Sequence, residues 1–257
     1  MDIFHVIILS IVEGITEFLP ISSTGHLVLA AHAMNIEQTN FVKSFEVIIQ
    51  LGAILSVVTL YFKTLITKVT LWRKIILAFL PSAIIGFTFY PLIKGVLIGN
   101  PYITVTALIL GGILLIVIEK ILPVRKISDE KLEDISHKQA LSIGIAQAFS
   151  IVPGVSRAGA TIVGGLLGGL NRKNAVEFSF LLAIPTMIGA TTLDLVETKI
   201  AFTSNEWLQI LVGFVLSYII ALLAIKWLLK YVQNHSFIGF GIYRIIFGIA
   251  YYLLFLR

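Results

Sequence analysis

The chain has 257 residues, of which 58% are hydrophobic and only 13% are charged, and its formal net charge is +5. Charged residues approach a quarter of a soluble domain, so this composition, with a mean hydropathy of +0.98, excludes a water-soluble fold and predicts a polytopic membrane protein. The basic excess comes without an RNP, zinc-finger or helix-turn-helix pattern, so we expect no nucleic acid partner.

The absence of cysteine narrows the chemistry that the chain can carry. It excludes disulfides, thiolate catalysis and thiolate metal sites together. Any metal would need oxygen or imidazole ligands, which favours a hard divalent cation, Mg²⁺ or Ca²⁺.

Residues 3–33 contain two short apolar runs on either side of a polar segment, Glu13-Gly-Ile-Thr-Glu17-Phe-Leu-Pro-Ile-Ser-Ser-Thr-Gly-His26. Each run is shorter than the about 20 residues that a membrane-spanning helix needs. Broken helices at membrane depth are tolerated where they line a protein cavity. We therefore expect a re-entrant hairpin made of two half-helices.

Two glutamates open this polar segment. Glu13 and Glu17 lie at i and i+4, so a helix places both carboxylates on one face. A single glutamate would also fit a solvated helix end at the interface, since an acid inside the membrane costs at least ~2.5 kcal/mol. Two on one face favour a function, either as ligands of a divalent ion or as a general base.

Hydroxyl groups and an imidazole follow the predicted helix break. Ser22, Ser23 and Thr24 precede Gly25, which lets backbone N–H groups turn toward a bound anion, and His26 comes next. A serine at a helix start is often only an N-cap, and a lone histidine is often a packed one. Together with the glutamates, these residues supply the base, nucleophile and acid of a displacement at phosphorus.

Six further stretches are apolar and long enough to cross a membrane. They cover roughly 44–62, 75–93, 101–118, 175–196, 207–229 and 237–256. The candidate inside loops, among them 63–74 and 119–138, carry 13 of the 19 basic residues, so the positive-inside rule predicts that both loops are cytoplasmic and both termini outside.

Residues 139–170 repeat the broken design of the first hairpin, with Gln147-Ala-Phe-Ser-Ile-Val-Pro-Gly-Val-Ser-Arg-Ala-Gly-Ala-Thr161 between two short apolar runs. The chain thus divides into repeats at about 1–118 and 139–257, joined by the 119–138 loop, within one membrane domain. The predicted fold is all-α, with about six transmembrane helices, two re-entrant hairpins and an inverted-topology internal repeat. Such hairpins enter from opposite faces, and their tips meet near the midplane.

Arg157 is the most informative residue of the second hairpin, because an arginine in an apolar hairpin requires an anionic partner. Its planar fork suits phosphate oxygens, and the alternative is an internal ion pair with one of the glutamates. Gly154, Ser156 and Thr161 flank it, either as further phosphate ligands or as helix caps.

Other polar residues fall inside the predicted spans. Glu46, Gln50 and Glu177 are expected to form a supporting layer behind the groups that contact the substrate. Arg244 is expected to reach the interface with its head group or to pair with an acid.

Taken together, the Glu13–His26 segment and Pro153-Gly-Val-Ser-Arg157-Ala-Gly-Ala-Thr161 closely resemble the bacterial undecaprenyl-diphosphate phosphatases, the bacitracin-resistance family. The resemblance covers essentially the whole length and includes Phe45-Glu46, Gln50-Leu-Gly52 and Glu177-Phe-Ser-Phe-Leu-Leu-Ala-Ile-Pro185. The family usually has a second serine where this chain has Ala158, so an essential hydroxyl there is not expected.

The resemblance implies removal of the terminal phosphate from undecaprenyl diphosphate, which regenerates the monophosphate carrier for cell-wall synthesis and confers bacitracin resistance. It also implies Mg²⁺ or Ca²⁺ and a bacterial plasma membrane, with an active site open to the outer face. The implied roles are Ser23 as nucleophile, Glu17 as base or metal-linked carboxylate, Glu13 as metal ligand, His26 as proton shuttle and Arg157 as phosphate clamp. An alternative makes His26 the nucleophile and Ser23 a phosphate ligand.

The implied phosphate site is completed by Ser22, Thr24, Gly25, Gly154, Ser156 and Thr161. The main competing interpretation is a secondary transporter or flippase of a phosphorylated lipid or small anion, because inverted repeats and broken helices are typical of transporters. A transporter needs no nucleophile, and a lipid-binding scaffold would leave Glu17 and Ser23 without a role. The sequence leaves homo-oligomerisation open.

Overall fold

The computed structural model describes residues 1–89, 100–122, 131–198 and 202–257, and within these ranges the chain is helical and contains no strand. Short 3₁₀ turns lie at Leu132–Asp134 and Phe149–Ile151, and a π-helical turn at Tyr252–Leu256 follows the last α-helix. The α-helices are α1 (Ile3–Thr16), α2 (Ser23–Ala33), α3 (Asn40–Thr67), α4 (Val69–Thr88), α5 (Pro101–Ile121), α6 (His137–Ala148), α7 (Arg157–Leu167), α8 (Arg172–Thr198), α9 (Ser204–Asn234) and α10 (Ile238–Tyr251).

The predicted membrane spans are confirmed. Within the described part of the chain, 6 helices are long and apolar enough to cross a bilayer: α3, α4, α5, α8 over Arg172–Leu193, α9, and Ile238–Leu256. The all-helical class and the multi-pass character of the protein are therefore established. The end of the predicted 75–93 span and the middle of the 119–138 loop fall on residues 90–99 and 123–130, which lie outside the described residues.

Several spans begin before the apolar stretch that predicted them, because polar caps lie outside a hydropathy pattern. At the start of α3, Thr39 accepts a hydrogen bond from the amide of Val42. At the start of α9, Thr203 and Glu206 form a reciprocal capping box. These caps satisfy amides that the first helical turn leaves without partners.

Two pairs of short helices occupy the places of the predicted hairpins. In each pair the second helix begins after a serine in a left-handed conformation: Ser22 caps α2 at φ 75°, and Ser156 caps α7 at φ 75°. The side chains accept hydrogen bonds from the amides of Gly25 and Gly159. The two breaks therefore have the same local design, while insertion of the hairpins from opposite membrane faces stays a prediction.

The helix pairing supports the internal repeat. Each of four helix pairs joins a helix of the first half to one of the second: α1 with α9, α4 with α6, α3 with α8 and α5 with α10. If each helix is replaced by the helix five places away in the chain, α1 with α9 becomes α6 with α4, and the other two pairs map onto themselves. Glycines allow the close approach, since a Cβ on Gly14 would lie 2.9 Å from the carbonyl oxygen of Ser217. The inverted orientation itself stays a prediction.

A partly buried ion pair, remote in sequence from the two breaks, joins three helices. Arg172, at the start of α8, donates two hydrogen bonds to Glu119 near the end of α5, at 2.9 and 2.5 Å. Glu119 also accepts the amide of Phe237, which precedes α10, at 3.0 Å. This contact fixes the ends of α5, α8 and α10 to one another.

Candidate active site

Glu17 lies at the C-terminal end of α1, where the two halves of the molecule meet. Its Oε2 accepts a hydrogen bond from Ser23 Oγ at 2.5 Å, and its Oε1 accepts one from Arg157 Nη2 at 2.9 Å. The structure therefore brings together three of the residues singled out in the sequence, on one carboxylate that is almost completely buried.

The position of Ser23 and of Arg157 is set by the helix break that precedes each of them. Ser23 is the first residue of α2 and Arg157 the first residue of α7. The first amides of a helix have no partner within it and lie at the positive end of the helix dipole. Both residues therefore stand at helix N-termini, which are suited to an anion.

Arg157 is held from behind by α8. Its Nη1 donates to the carbonyl oxygen of Ser179 at 3.0 Å, and its guanidinium lies 5.7 Å from the centre of the Phe18 ring. Thr161 approaches the Ser179 hydroxyl at 2.6 Å, so it supports the arginine from the rear. Nε of Arg157 has no hydrogen-bond partner among the described residues.

Glu13 lies one helical turn before Glu17 and is fully buried. Neither of its carboxylate oxygens has a hydrogen-bond partner within the described ranges. A buried carboxylate without a partner is costly, and the neighbouring charge of Glu17 adds to that cost. A proton or a cation at Glu13 would relieve it.

His26 contacts Ser22 and Tyr243 rather than Glu17, the hydrogen-bond partner of Ser23. Its Nδ1 lies 2.7 Å from the carbonyl oxygen of Ser22, and its Nε2 lies 2.7 Å from the hydroxyl of Tyr243. Because a carbonyl only accepts, Nδ1 carries a proton, and in the neutral ring Nε2 accepts from Tyr243. The ring stacks on Phe247 at 4.2 Å. Both nitrogens are thus engaged with groups other than a substrate.

A cavity of about 640 Å³ opens from this site. Its polar end is formed by Glu17, Ser22, Ser23, Thr24, Ser156 and Arg157, and its apolar wall by residues of α4 and α8 that include Phe79, Ala83, Phe87, Met187, Ala190 and Leu193. One compartment therefore joins a charged end to an apolar end, as a lipid with an anionic head group requires.

The model of the bacitracin resistance protein BacA family matches residues 6–250. The chain belongs to the BacA family. The undecaprenyl-diphosphatase of Aquifex aeolicus (strain VF5) is 51% identical over 260 residues, which is 100% of both chains. The undecaprenyl-diphosphatase of Sulfurihydrogenibium sp. (strain YO3AOP1) is 52% identical over 98% of this chain and 99% of its own. That of Methanococcus aeolicus is 46% identical over 100% of both chains. The family predicted from the two motifs is confirmed.

The other predicted site residues of this BacA family member divide into two groups. Gln50 and Gly154 line the cavity. Gly25, Thr161, His26, Glu13, Glu46 and Glu177 are not among the residues that line it. The amide of Gly25 is used by the Ser22 side chain, and Glu46 accepts a hydrogen bond from Gln38 at 3.5 Å.

Sequence reasoning missed a polar belt in the cavity wall. Gln147 donates to Ser82 Oγ at 2.6 Å and to Thr186 Oγ1 at 3.1 Å, and all three residues line the cavity. Glutamine 147 occurs in the second hairpin motif, but its partners lie in α4 and α8, so only the helix pairing reveals them.

The expectation for Arg244 is wrong. The side chain is 1% exposed and forms no ion pair among the described residues, so it neither reaches an interface nor pairs with an acid. Its five N–H groups donate to backbone carbonyl oxygens instead. Three carbonyls of the two helix breaks and two carbonyls within α5 take the place of the expected carboxylate.

Carboxylates that could hold a metal are few. Within the described residues no group of three or more His, Cys, Asp or Glu side chains has the arrangement of a metal site. Of the predicted metal ligands, Glu13 has no hydrogen-bond partner among the described residues and Glu17 already contacts Ser23 and Arg157. A cation on this pair would take its other ligands from water and from phosphate oxygens, as Mg²⁺ commonly does.

Proposed function

We propose that the chain hydrolyses undecaprenyl diphosphate to undecaprenyl phosphate and inorganic phosphate, which recycles the lipid carrier of cell-wall synthesis and confers resistance to bacitracin. The observation that carries this function is the convergence of Ser23 and Arg157 on the carboxylate of Glu17. A nucleophile, its base and a phosphate-binding guanidinium thus line one cavity together.

The geometry supports a two-step displacement. Glu17 Oε2 takes the proton of Ser23 Oγ, which then attacks the terminal phosphorus atom while the bond to the bridging oxygen breaks. Undecaprenyl phosphate leaves with the electron pair of that bond. The proton on Glu17 passes to the oxygen of the departing undecaprenyl phosphate, and the carboxylate then takes a proton from the water that attacks the phosphoserine. That proton goes to Ser23 Oγ as its bond to phosphorus breaks, and inorganic phosphate is released.

Arg157 neutralises the phosphoryl oxygens in this scheme. Its Nη2 exchanges Glu17 Oε1 for a phosphate oxygen, and its Nε is available for a second one. The carbonyl of Ser179 holds Nη1 and so keeps the fork in the same orientation during the exchange. Two parallel hydrogen bonds to one phosphate are the strongest recognition that a guanidinium provides.

The structure favours Ser23 over His26 as the nucleophile. Ser23 lines the cavity and already shares its proton with a carboxylate. The nitrogens of His26 contact Ser22 and Tyr243, so the imidazole would have to leave both partners before it could reach a phosphorus atom. His26 instead stabilises the carbonyl of the residue that caps α2.

Glu13 and Glu17 would hold the divalent cation. The unpaired, buried carboxylate of Glu13 fits a positively charged neighbour. When bound, Mg²⁺ or Ca²⁺ supplies positive charge that offsets the negative charge of the diphosphate. Water and diphosphate oxygens would complete the ligand set.

The apolar end of the cavity accommodates the first prenyl units, between α4 and α8. The charge bias of the 63–74 loop places that loop in the cytoplasm and the first hairpin on the outer side of a bacterial plasma membrane. Diphosphate produced at the outer face would then reach the site directly.

Phosphate release by purified protein tests this function. Wild type with Mg²⁺ is expected to release phosphate from undecaprenyl diphosphate, and to release none from undecaprenyl phosphate, whose single phosphate is not held by an anhydride. EDTA should stop the reaction. Folded wild-type protein that binds the diphosphate without releasing phosphate would favour the transporter interpretation instead.

A further inference from the structure

Arg244 is the residue on which both helix breaks converge. It lies in α10 and is almost fully buried. Its guanidinium and Nε together use five N–H groups, the full donor capacity of an arginine. They donate to the carbonyl oxygens of Pro20 at 3.1 Å, Val155 at 3.0 Å, Gly154 at 2.8 Å, Ala107 at 3.1 Å and Leu108 at 3.1 Å.

These acceptors belong to three different parts of the chain. Pro20 lies in the first break, two residues before the Ser22 cap, and Val155 lies directly before the Ser156 cap. Ala107 and Leu108 lie within α5. One side chain from α10 therefore connects the break of the first hairpin to that of the second.

Two successive glycines in α5 make room for this side chain. A Cβ on Gly111 would fall on the guanidinium of Arg244, and a Cβ on Gly112 would lie 2.6 Å from the carbonyl oxygen of Gly241. The contact between α5 and α10 thus excludes any larger residue at these positions. The Gly111-Gly112 pair is the sequence signal for a buried group crossing this helix.

Arg244 acts on the breaks through the rigid peptide plane. A trans peptide directs its N–H opposite to its C=O. Because Arg244 binds the carbonyl of Val155, the N–H of Ser156 in the same peptide plane points away from Arg244. This contact fixes the orientation of the peptide that precedes Ser156, whose left-handed conformation starts α7. Arg244 itself is not among the residues that line the cavity.

We propose that Arg244 is a positioning residue for the reaction. It sets the two breaks relative to each other, so that Ser23 of one half and Arg157 of the other act on the same phosphate. This inference rests on the proposed hydrolysis and adds to it a residue that touches neither the substrate nor the reacting side chains.

The test compares Arg244→Lys with Arg172→Lys, a change at a partly buried arginine away from the two breaks. Lysine keeps the charge but has three donors and no fork, so it cannot hold both breaks. We expect Arg244→Lys to lower kcat by about 100-fold with KM changed less than about threefold, because a displacement of about 1 Å costs this much. Arg172→Lys, which loses only the contacts to Glu119, should lower Tm and leave kcat per folded molecule near wild type.

Gly111→Ala should displace the Arg244 guanidinium, and with it the two breaks, without replacing the arginine itself. Its added Cβ meets the guanidinium, so kcat should fall as in Arg244→Lys. The matched control is Gly239→Ala in α10, where the Cβ would meet only the Tyr231 hydroxyl at 3.3 Å. This control should keep wild-type kcat.

The outcomes separate this inference from the proposed function. If wild type releases no phosphate, the hydrolase proposal fails. If wild type is active and Arg244→Lys retains its kcat per folded molecule, or Arg244→Lys simply fails to fold, Arg244 is a structural residue and the positioning role is overturned. A loss of kcat in Arg244→Lys and Gly111→Ala alone, at unchanged folded fraction, supports it.

Discussion

Ser23 and Arg157 occupy the same place in the two halves of the molecule. Each is the first residue of an 11-residue helix that follows a left-handed serine cap, and each donates to the carboxylate of Glu17. This position therefore carries a hydroxyl after the first break and a guanidinium after the second. Neither half alone contains both groups.

The role of Ser23 is tested by Ser23→Ala. The change removes the nucleophile but leaves the Glu17–Arg157 pair, so hydrolysis should fall to background while Tm stays within a few degrees of wild type. The measurements are phosphate release and a thermal melt in detergent. Ser10→Ala is the matched control, because Ser10 is a buried serine of α1 that donates only to the Val6 carbonyl. Turnover by Ser23→Ala close to that of Ser10→Ala would remove Ser23 from the mechanism.

Two substitutions of Arg157 separate charge from geometry. Arg157→Lys keeps a cation beside Glu17 and should be folded, but it loses the fork, so activity should drop roughly 100-fold. Arg157→Ala leaves Glu17 buried without its cation and should lower stability by about 3–5 kcal/mol.

The double variant Arg157→Ala with Glu17→Gln completes this test. Removing the unpaired charge should restore part of the stability but none of the activity. Unfolding in denaturant and phosphate release measure the two effects. An Arg157→Lys variant with wild-type turnover would assign Arg157 to the internal ion pair alone.

Glu13→Gln tests whether the unpaired carboxylate serves a cation. In EDTA the neutral amide should be as stable as wild type or more stable, because a buried charge without a partner has been removed. Activity should require a higher Mg²⁺ concentration or disappear. Melting curves with EDTA and with Mg²⁺, beside a Mg²⁺ titration of turnover, give both readouts. Wild-type metal dependence in Glu13→Gln would exclude Glu13 as a ligand.

The apolar wall of the cavity predicts a dependence on prenyl chain length. A Cβ on Gly189 would lie 3.5 Å from the nearest atom, in Phe79, so Gly189→Ala should be tolerated, whereas Gly189→Phe should narrow the space between α4 and α8. We expect Gly189→Phe to lower kcat/KM for undecaprenyl diphosphate about tenfold more than for a short prenyl diphosphate. Equal losses for both substrates would show that the chain does not pass this wall.

Because the chain contains no cysteine, single cysteines report its topology without background. Positive-inside asymmetry predicts that Asn35→Cys, between α2 and α3, is labelled by an impermeant reagent in intact cells, and that Lys138→Cys, in the first turn of α6, is not. Both side chains are exposed in the structure. Labelling of position 138 and protection of position 35 would reverse the orientation.

Much of the fold follows from hydrophobic run lengths, because the number of residues that cross a bilayer is set by its thickness. The two breaks were equally visible, since each interrupts an apolar run with residues that do not remain in lipid unless they line a cavity. The contacts of Ser23 and Arg157 with one Glu17 carboxylate agree with the prediction that the two hairpin tips share a site, while the entry of the hairpins from opposite faces stays a prediction.

Contacts made across the fold were not visible in the sequence. Tyr243 binds His26, and Arg244 binds the carbonyls of Pro20 and Val155, only because α10 packs beside both breaks. The expectation for Arg244 fails because carbonyl oxygens of the two breaks and of α5, rather than an acid, accept all five of its N–H groups. Because every residue has a backbone carbonyl, the sequence does not show which carbonyls will be available to a buried arginine.

The Glu17–Arg157 pair also favours highly charged phosphates over singly charged ones at this site. Until a substrate arrives, the guanidinium is already bound to an internal carboxylate at 2.9 Å, so an incoming anion has to compete with that carboxylate. The singly charged phosphodiester of an ordinary membrane lipid offers Arg157 no more than Glu17 does. A terminal phosphate, with a charge of about −1.5 to −2 near neutral pH, offers more. In the proposed reaction the site can therefore face a large excess of anionic lipids with a single phosphodiester and still bind the rare lipid that ends in a diphosphate.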